Sequence, residues 1–332
     1  MSGFLRYHAQ VSALHASLPW LVDLDAHLQS AKRPLIVVLG PTASGKTACS
    51  IALAHWISEH CKRRSEVVNA DSRQLYRHLT IGTAKIRGEE MQGIPHHLLD
   101  VLDPREESTA GWYQTQASQV IGEIEGRGAV PMLVGGSMLY VSAVTDGLTM
   151  APSPDRELRE RLMEEYDRDH GESLYERLHA FDPDSAKRIH RRNKPRLVRA
   201  VEICELTRQS KSKTVPRGEL GAKSDPRFDL VILGMEWPRR ELMERITQRT
   251  ERMFADGWME EVRRLLAQGY TPQDPGMKSH GYREIMRALL SGNLDEAVLM
   301  EEIAQKSRKY AKRQLTWWRR DRRIRWITPD SL

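Results

Sequence analysis

Gly40-Pro41-Thr42-Ala43-Ser44-Gly45-Lys46-Thr47 fits the pattern G-x-x-x-x-G-K-[ST], and what flanks it decides the fold. An apolar run with β-branched members, Leu35 to Leu39, leads into Gly40. A helical stretch from Lys46 to about His60 follows. Strand, glycine-rich turn and helix in that order surround a phosphate with backbone N–H groups and the positive end of the helix. Gly40 and Gly45 permit unusual torsions and close approach. Lys46 neutralises phosphate charge, and Thr47 is placed to coordinate Mg²⁺. The motif does not say whose phosphate is held.

Outward from this loop, Glu66 to Ala70 reads as a strand ending at Asp71, His97 to Val101 as another, and Val130 to Val134 as a fourth ending in Gly135-Gly136. Helical stretches such as Ala110 to Glu125 separate them, which predicts an α/β fold with a P-loop NTPase-like parallel sheet. From Pro152 to about Lys213 the chain is charged and helical, and Lys211 to Arg227 is polar and loop-like. Phe228 to Met235 then returns as an apolar strand, and Arg239 to Arg320 is again mostly helical. The ordering predicts a catalytic core over residues 34–151 and 228–332, with a helical insertion domain at 152–227. Residues 1–33 form an N-terminal extension with one or two short helices and a narrow stripe of Leu14, Leu18, Leu21 and Leu28.

The chain of 332 residues has 51 Lys and Arg against 45 Asp and Glu, a net charge of +6 that weakly favours a polyanionic partner. Its three cysteines, Cys49, Cys61 and Cys204, have neither C-x-x-C spacing nor paired histidines, so free thiols in a reducing compartment are expected. No apolar run approaches a membrane span and no signal sequence is evident, so the expected location is the cytoplasm.

An ordinary P-loop NTPase carries an acidic residue at the end of another strand, where it helps hold Mg²⁺. Here Val130 to Val134 ends in Gly135, Gly136 and Ser137, with no carboxylate. Asp71 ends a different strand, at the carboxyl edge where open α/β sheets place ligands. There it could bind metal, accept a proton from a nucleophile, or cap a helix. A small-molecule kinase would use the P-loop and Asp71 but would leave the basic C-terminal segment unexplained.

GPTASGKT at 40–47, NADSRQLY at 69–76, IGTAK at 81–85, GIPHHLLD at 93–100, VGGSMLY at 134–140, RLVRAVEI at 196–203, GYRE at 281–284 and AKRQLTWWR at 311–319 together resemble one family, the tRNA dimethylallyltransferases, also called tRNA isopentenyltransferases. The resemblance covers most of the chain but not residues 1–33. It implies transfer of a dimethylallyl group from dimethylallyl pyrophosphate to N6 of adenosine 37 in tRNAs that read codons beginning with U and carry A36-A37-A38. The adenine is flipped into a channel, and the P-loop holds the donor's pyrophosphate with Mg²⁺. It further implies that Asp71 is the general base and that Ser137 stands where a threonine is usual. Arg249 is then the arginine on the pyrophosphate, and Arg159 contacts tRNA. The remaining tRNA contacts fall on Asp71, Ser72, Arg73, Gln74 and Ser137, on Pro195, Arg196, Leu197, Val198 and Arg199, and on Lys278, Ser279, His280, Gly281, Tyr282 and Arg283. The last set is Lys312, Arg313, Gln314, Leu315, Thr316, Trp317, Trp318 and Arg319. Lys278-Ser279-His280 departs from the family's usual pattern.

The residues themselves are consistent with this. Lys306 to Arg325 is strongly basic and interleaved with Trp317, Trp318 and Trp326, a mixture suited to phosphates and unpaired bases, although at least one of Trp317 and Trp318 is expected in the core. Pro195 opens a helix on which Arg196 and Arg199 lie one turn apart. His96-His97 reads as a structural pair rather than a zinc site. A monomer is expected, because the RNA is large and asymmetric.

Overall fold

The computed structural model describes residues 19–147, 152, 155–214, 227–292 and 295–328. The stripe positions Leu14 and Leu18 and most of the polar segment after Lys211 lie outside them. Chain contacts divide into two units, Met1–Asp146 with Ser224–Leu332, and Gly147–Lys223.

The first unit is built on a six-stranded parallel sheet. α1 (Pro19–Ser30) precedes β1 (Pro34–Leu39), α2 (Lys46–His60), β2 (Ser65–Asn69) and β3 (His96–His97). α3 (Ala110–Gly126), β4 (Val130–Gly135) and α4 (Met138–Thr145) follow. The strand order is β3-β2-β4-β1, completed by β5 (Asp229–Met235) and β6 (Ile324–Ile327). Every residue of β1 is buried, because alternate side chains enter different cores. Leu35, Val37 and Leu39 join the core built with Tyr113, Ile121 and Ile124 of α3. Ile36 and Val38 join the opposite core with Leu53, Trp56 and Ile57 of α2 and with Trp20, Leu24 and Leu28 of α1.

Two features differ from the expectation. The third strand is two residues long instead of His97 to Val101, because Leu98 and Asp100 adopt φ of 59° and 56°, torsions no strand accommodates. The C-terminal strand β6 was not anticipated. It pairs in parallel with β5, Ile324 opposite Ile232 and Ile327 opposite Met235, and Ile324 and Ile327 face inward.

The second unit contains α5 (Arg156–Asp169), α6 (Glu172–Phe181) and α7 (Lys194–Thr207), with single helical turns at Pro183–Ala186 and Lys211–Thr214. Its core is Leu162, Tyr166, Leu174, Leu178, Leu197, Val198 and Val201. Back in the first unit, α8 (Arg239–Ala255), α9 (Trp258–Ala267), α10 (Tyr282–Ser291) and α11 (Glu296–Trp318) lead to β6. Among the described residues no helix is long and apolar enough to cross a membrane.

Candidate active site

β1 delivers the chain to the sheet's carboxyl edge, and α2 begins there at Lys46. Gly45 caps it with φ of 88°, a left-handed turn that a Cβ would strain. The loop is braced from outside. Trp237 Nε1 donates to the Ser44 carbonyl at 2.9 Å, and Arg245 Nε to the Ala43 carbonyl at 3.0 Å. Gln314 on α11 reaches in from the other side: its Oε1 accepts from the Thr42 amide at 3.1 Å, and its Nε2 donates to the Gly136 carbonyl at 2.7 Å. That single amide joins the phosphate loop to the end of β4. Among the described residues the buried Ser44 hydroxyl has no hydrogen-bond partner, as expected of a cradle whose ligand supplies one.

Beside the loop lies a cavity of about 440 Å³, lined by Lys46, Thr47, Asp71, Arg249 and Tyr310 and by the apolar Ile246, Met253, Trp258 and Ile303. Lys46 Nζ donates to the Pro41 carbonyl at 2.8 Å. Desolvation pulls its pKa down from 10.5 to about 8, Asp71 opposes that shift, and Arg249 adds to it. Burial likewise lowers Arg249 from its ordinary value against the pull of Asp71. The three charges that the sequence nominated therefore sense one another. Arg245, Arg249 and Arg252 all line the cavity from one face of α8. Their spacing of four and three residues was the available sequence signal for Arg245 and Arg252.

Asp71 follows β2 in a tight turn, where its Oδ1 accepts from the Arg73 amide at 2.8 Å. The Ser137 hydroxyl, at the end of β4, accepts from the Ser72 amide at 2.8 Å and so ties the two strand ends together. Gly135 lies directly against this turn, since a Cβ there would come within 2.2 Å of the Ala70 carbonyl. The role implied for a hydroxyl after Gly-Gly is thus accompanied by a structural one.

Several nominated tRNA contacts turn inward. Leu197 and Val198 are buried in the core of the second unit, and Trp318 in that of the first. Tyr282 is fully buried, and the Ser279 hydroxyl is spent on the Gly276 carbonyl. Leu197, Val198, Trp318 and Tyr282 are spent on packing, because amphipathic helices alternate outward and inward positions, whereas Ser279 still lines the cavity beside the phosphate loop. Lys278, His280, Lys312, Arg313, Thr316 and Arg319 remain exposed. Of the tryptophan pair, Trp317 is only partly buried and packs against the core that holds Trp318. Within the second unit, Arg159 and Arg199 share the buried Glu202 carboxylate, at 2.8 and 2.6 Å.

His96 and His97 are held by the Ile94 carbonyl and by Glu66, the latter also paired with Arg127.

The family model described as IPP transferase matches residues 74–321. A tRNA dimethylallyltransferase of Symbiobacterium thermophilum is 43% identical over 300 residues, 89% of each chain. The chain belongs to the IPP transferase family. Among solved structures, this family member is similar to a full-length tRNA isopentenylpyrophosphate transferase of Bacillus halodurans, with 35% identity, 90% coverage of both chains and a TM-score of 0.64. It is also similar to a eukaryotic dimethylallyltransferase acting on tRNA, with 26% identity, coverage of 90% of this chain and 74% of that one, and a TM-score of 0.75.

Proposed function

We propose that the chain transfers a dimethylallyl group from dimethylallyl pyrophosphate to N6 of adenosine 37 in tRNAs carrying A36-A37-A38. One observation carries this beyond family membership. The cavity is lined by Lys46 of the phosphate loop, by Arg249 and by Asp71, whose charge both cations sense, and also by apolar Ile246, Met253, Trp258 and Ile303. A five-carbon alkyl pyrophosphate needs both, cations for its phosphates and apolar surface for its chain.

In the reaction the allylic C1–O bond breaks, the N6–C1 bond forms, and pyrophosphate leaves with the charge. Lys46, Arg249 and the loop amides stabilise that charge as it develops. The adenine amino group is a poor nucleophile, because its lone pair is delocalised into the ring. Asp71 orients it and takes the N6 proton, help worth roughly 10²–10⁴-fold. A flipped base filling the cavity mouth excludes the water that would otherwise capture the allylic cation. Thr47, in the first turn of α2 and open to solvent, would help hold a Mg²⁺ ion, which would supply further charge neutralisation at the pyrophosphate. Exposed Lys312 and Arg313 on α11, Arg319 just after it, and Arg196 on α7 serve the RNA backbone. The chain acts as a cytoplasmic monomer.

The test is transfer of radiolabelled dimethylallyl from its pyrophosphate to an anticodon stem-loop containing A36-A37-A38, with Mg²⁺ and without ATP. Label on A37 that disappears when that base is changed is the expected result. Folded protein that labels neither the stem-loop nor whole tRNA overturns the proposal.

A further inference from the structure

Glu261, on α9, is only 5% exposed, and among the described residues its hydrogen-bond partners are backbone amides and a phenol rather than a cation. A carboxylate in such a place is costly unless its oxygens are filled. Its Oε2 accepts from the amides of Thr80 at 3.2 Å and Ile81 at 2.8 Å. Its Oε1 accepts from the Gly82 amide at 3.5 Å and from the Tyr282 hydroxyl at 2.5 Å. The same hydroxyl accepts from the Gly82 amide at 3.1 Å. Three consecutive amides are thereby gathered onto one side chain about 180 residues away in sequence.

What this bracket holds is the next residue. The Thr83 carbonyl accepts from Arg249 Nη2 at 3.3 Å and from Gln74 Nε2 at 3.2 Å. Beyond it, the buried Lys85 ammonium closes the turn by donating to the Tyr76 carbonyl at 2.6 Å and to Asp100 at 2.5 Å. Of the cavity cations, Arg249 thus takes its hydrogen-bonded support from a backbone segment whose course is set by Glu261.

We propose that Glu261, completed by Tyr282, is a positioning residue for Arg249: it fixes the 80–83 backbone so that the Thr83 carbonyl aims the guanidinium at the departing pyrophosphate. The inference rests on the function proposed above. Glu261 touches no reacting atom. Its effect reaches Arg249 through the Thr83 carbonyl, which assigns it to the leaving-group half of the reaction.

The test is a double-mutant cycle read by single-turnover transfer at saturating donor and stem-loop, with stem-loop affinity measured separately. Glu261→Gln keeps the volume but turns an amide donor toward amide donors. It is expected to slow transfer about tenfold, the worth of one charge-assisted hydrogen bond, while stem-loop affinity stays the same. In an Arg249→Ala background the same change is expected to alter the rate less than about twofold, because the group being positioned is gone. Tyr282→Phe, which removes only a hydroxyl, should act in the same direction and carries the test if Glu261→Gln does not fold. Equal slowing in both backgrounds, or a parallel loss of stem-loop affinity, overturns the positioning role while wild-type transfer stands. A wild type that transfers no label overturns the underlying function and this inference with it.

Discussion

Lys46 imposes two pH dependences of opposite sign, and Lys46→Arg should abolish both. In the free protein its ammonium titrates near pH 8, against 10.5 when solvated, because burial disfavours the charge more than Asp71 restores it. Between those values the unfolded chain binds a proton that the folded chain has released. Stability from this group therefore rises with pH above 8, by about 3 kcal/mol once pH 10.5 is passed. Donor binding runs the other way, because the pyrophosphate selects the charged ammonium. The charged fraction falls from about 90% at pH 7 to about 10% at pH 9, so donor affinity should weaken about tenfold over that interval. The pyrophosphate ester itself finishes ionising near pH 6 and does not interfere. Calorimetric titration with a non-hydrolysable thio-analogue of dimethylallyl pyrophosphate, from pH 6.5 to 9.5, reads the effect directly. Lys46→Arg stays charged throughout and should give a flat profile. Wild-type affinity that does not change between pH 7 and 9, or a decline that persists in Lys46→Arg, would show that this ammonium is not the group that meets the phosphate.

Other changes separate chemistry from architecture. Asp71→Asn should lower single-turnover transfer by roughly 10²–10⁴-fold with stem-loop affinity intact, and an equal loss of affinity would remove its role as base. Gly135→Ala places a methyl 2.2 Å from the Ala70 carbonyl, where only backbone could yield. A loss of about 1–3 kcal/mol or more is expected in urea unfolding, and a change under about 0.5 kcal/mol would contradict the close approach. Ser137→Ala leaves the Ser72 amide without its acceptor and should cost about 1–3 kcal/mol, with Ser137→Thr restoring it. Chelation of Mg²⁺ should slow transfer, and Thr47→Val should raise the Mg²⁺ concentration needed for half-maximal rate; a rate indifferent to both would remove the metal from the scheme.

The path from β1 through the loop into α2 is legible in sequence because local signals agree: a doubly buried apolar strand, glycines where torsion demands them, and a helical period starting at Lys46. The third strand misled because its end is set from a distance. The Leu98 carbonyl is taken by Asn69 Nδ2 at 2.9 Å and Asp100 by Lys85, contacts that no local pattern announces. β6 escaped notice because its four residues, Ile-Arg-Trp-Ile, show no alternation of apolar and polar positions and are embedded in a run of arginines that reads as a solvated tail. Asp71 was recognisable as a strand-end carboxylate. Glu261 was not, because it sits in an amphipathic helix beside Glu260, a surface acid of identical type, and only the distant 80–82 amides distinguish the two. The inward turn of Tyr282, beside cavity-lining Lys278, Ser279 and His280, shows the converse: a motif fixes which segment lies at the site, but not which of its side chains face it.

The Gln314 amide has a consequence for how the protein comes into being. It spans 272 residues to reach Thr42 and 178 to reach Gly136. During synthesis the phosphate loop emerges early, with its lysine and glycines in place, yet the bridge that locks it to the end of β4 waits for the last long helix. A ribosome carrying a nascent chain shorter than this holds a loop lacking its latch. The capacity to grip a reactive allylic pyrophosphate therefore arrives late, when α11, with its exposed cations, is also being completed.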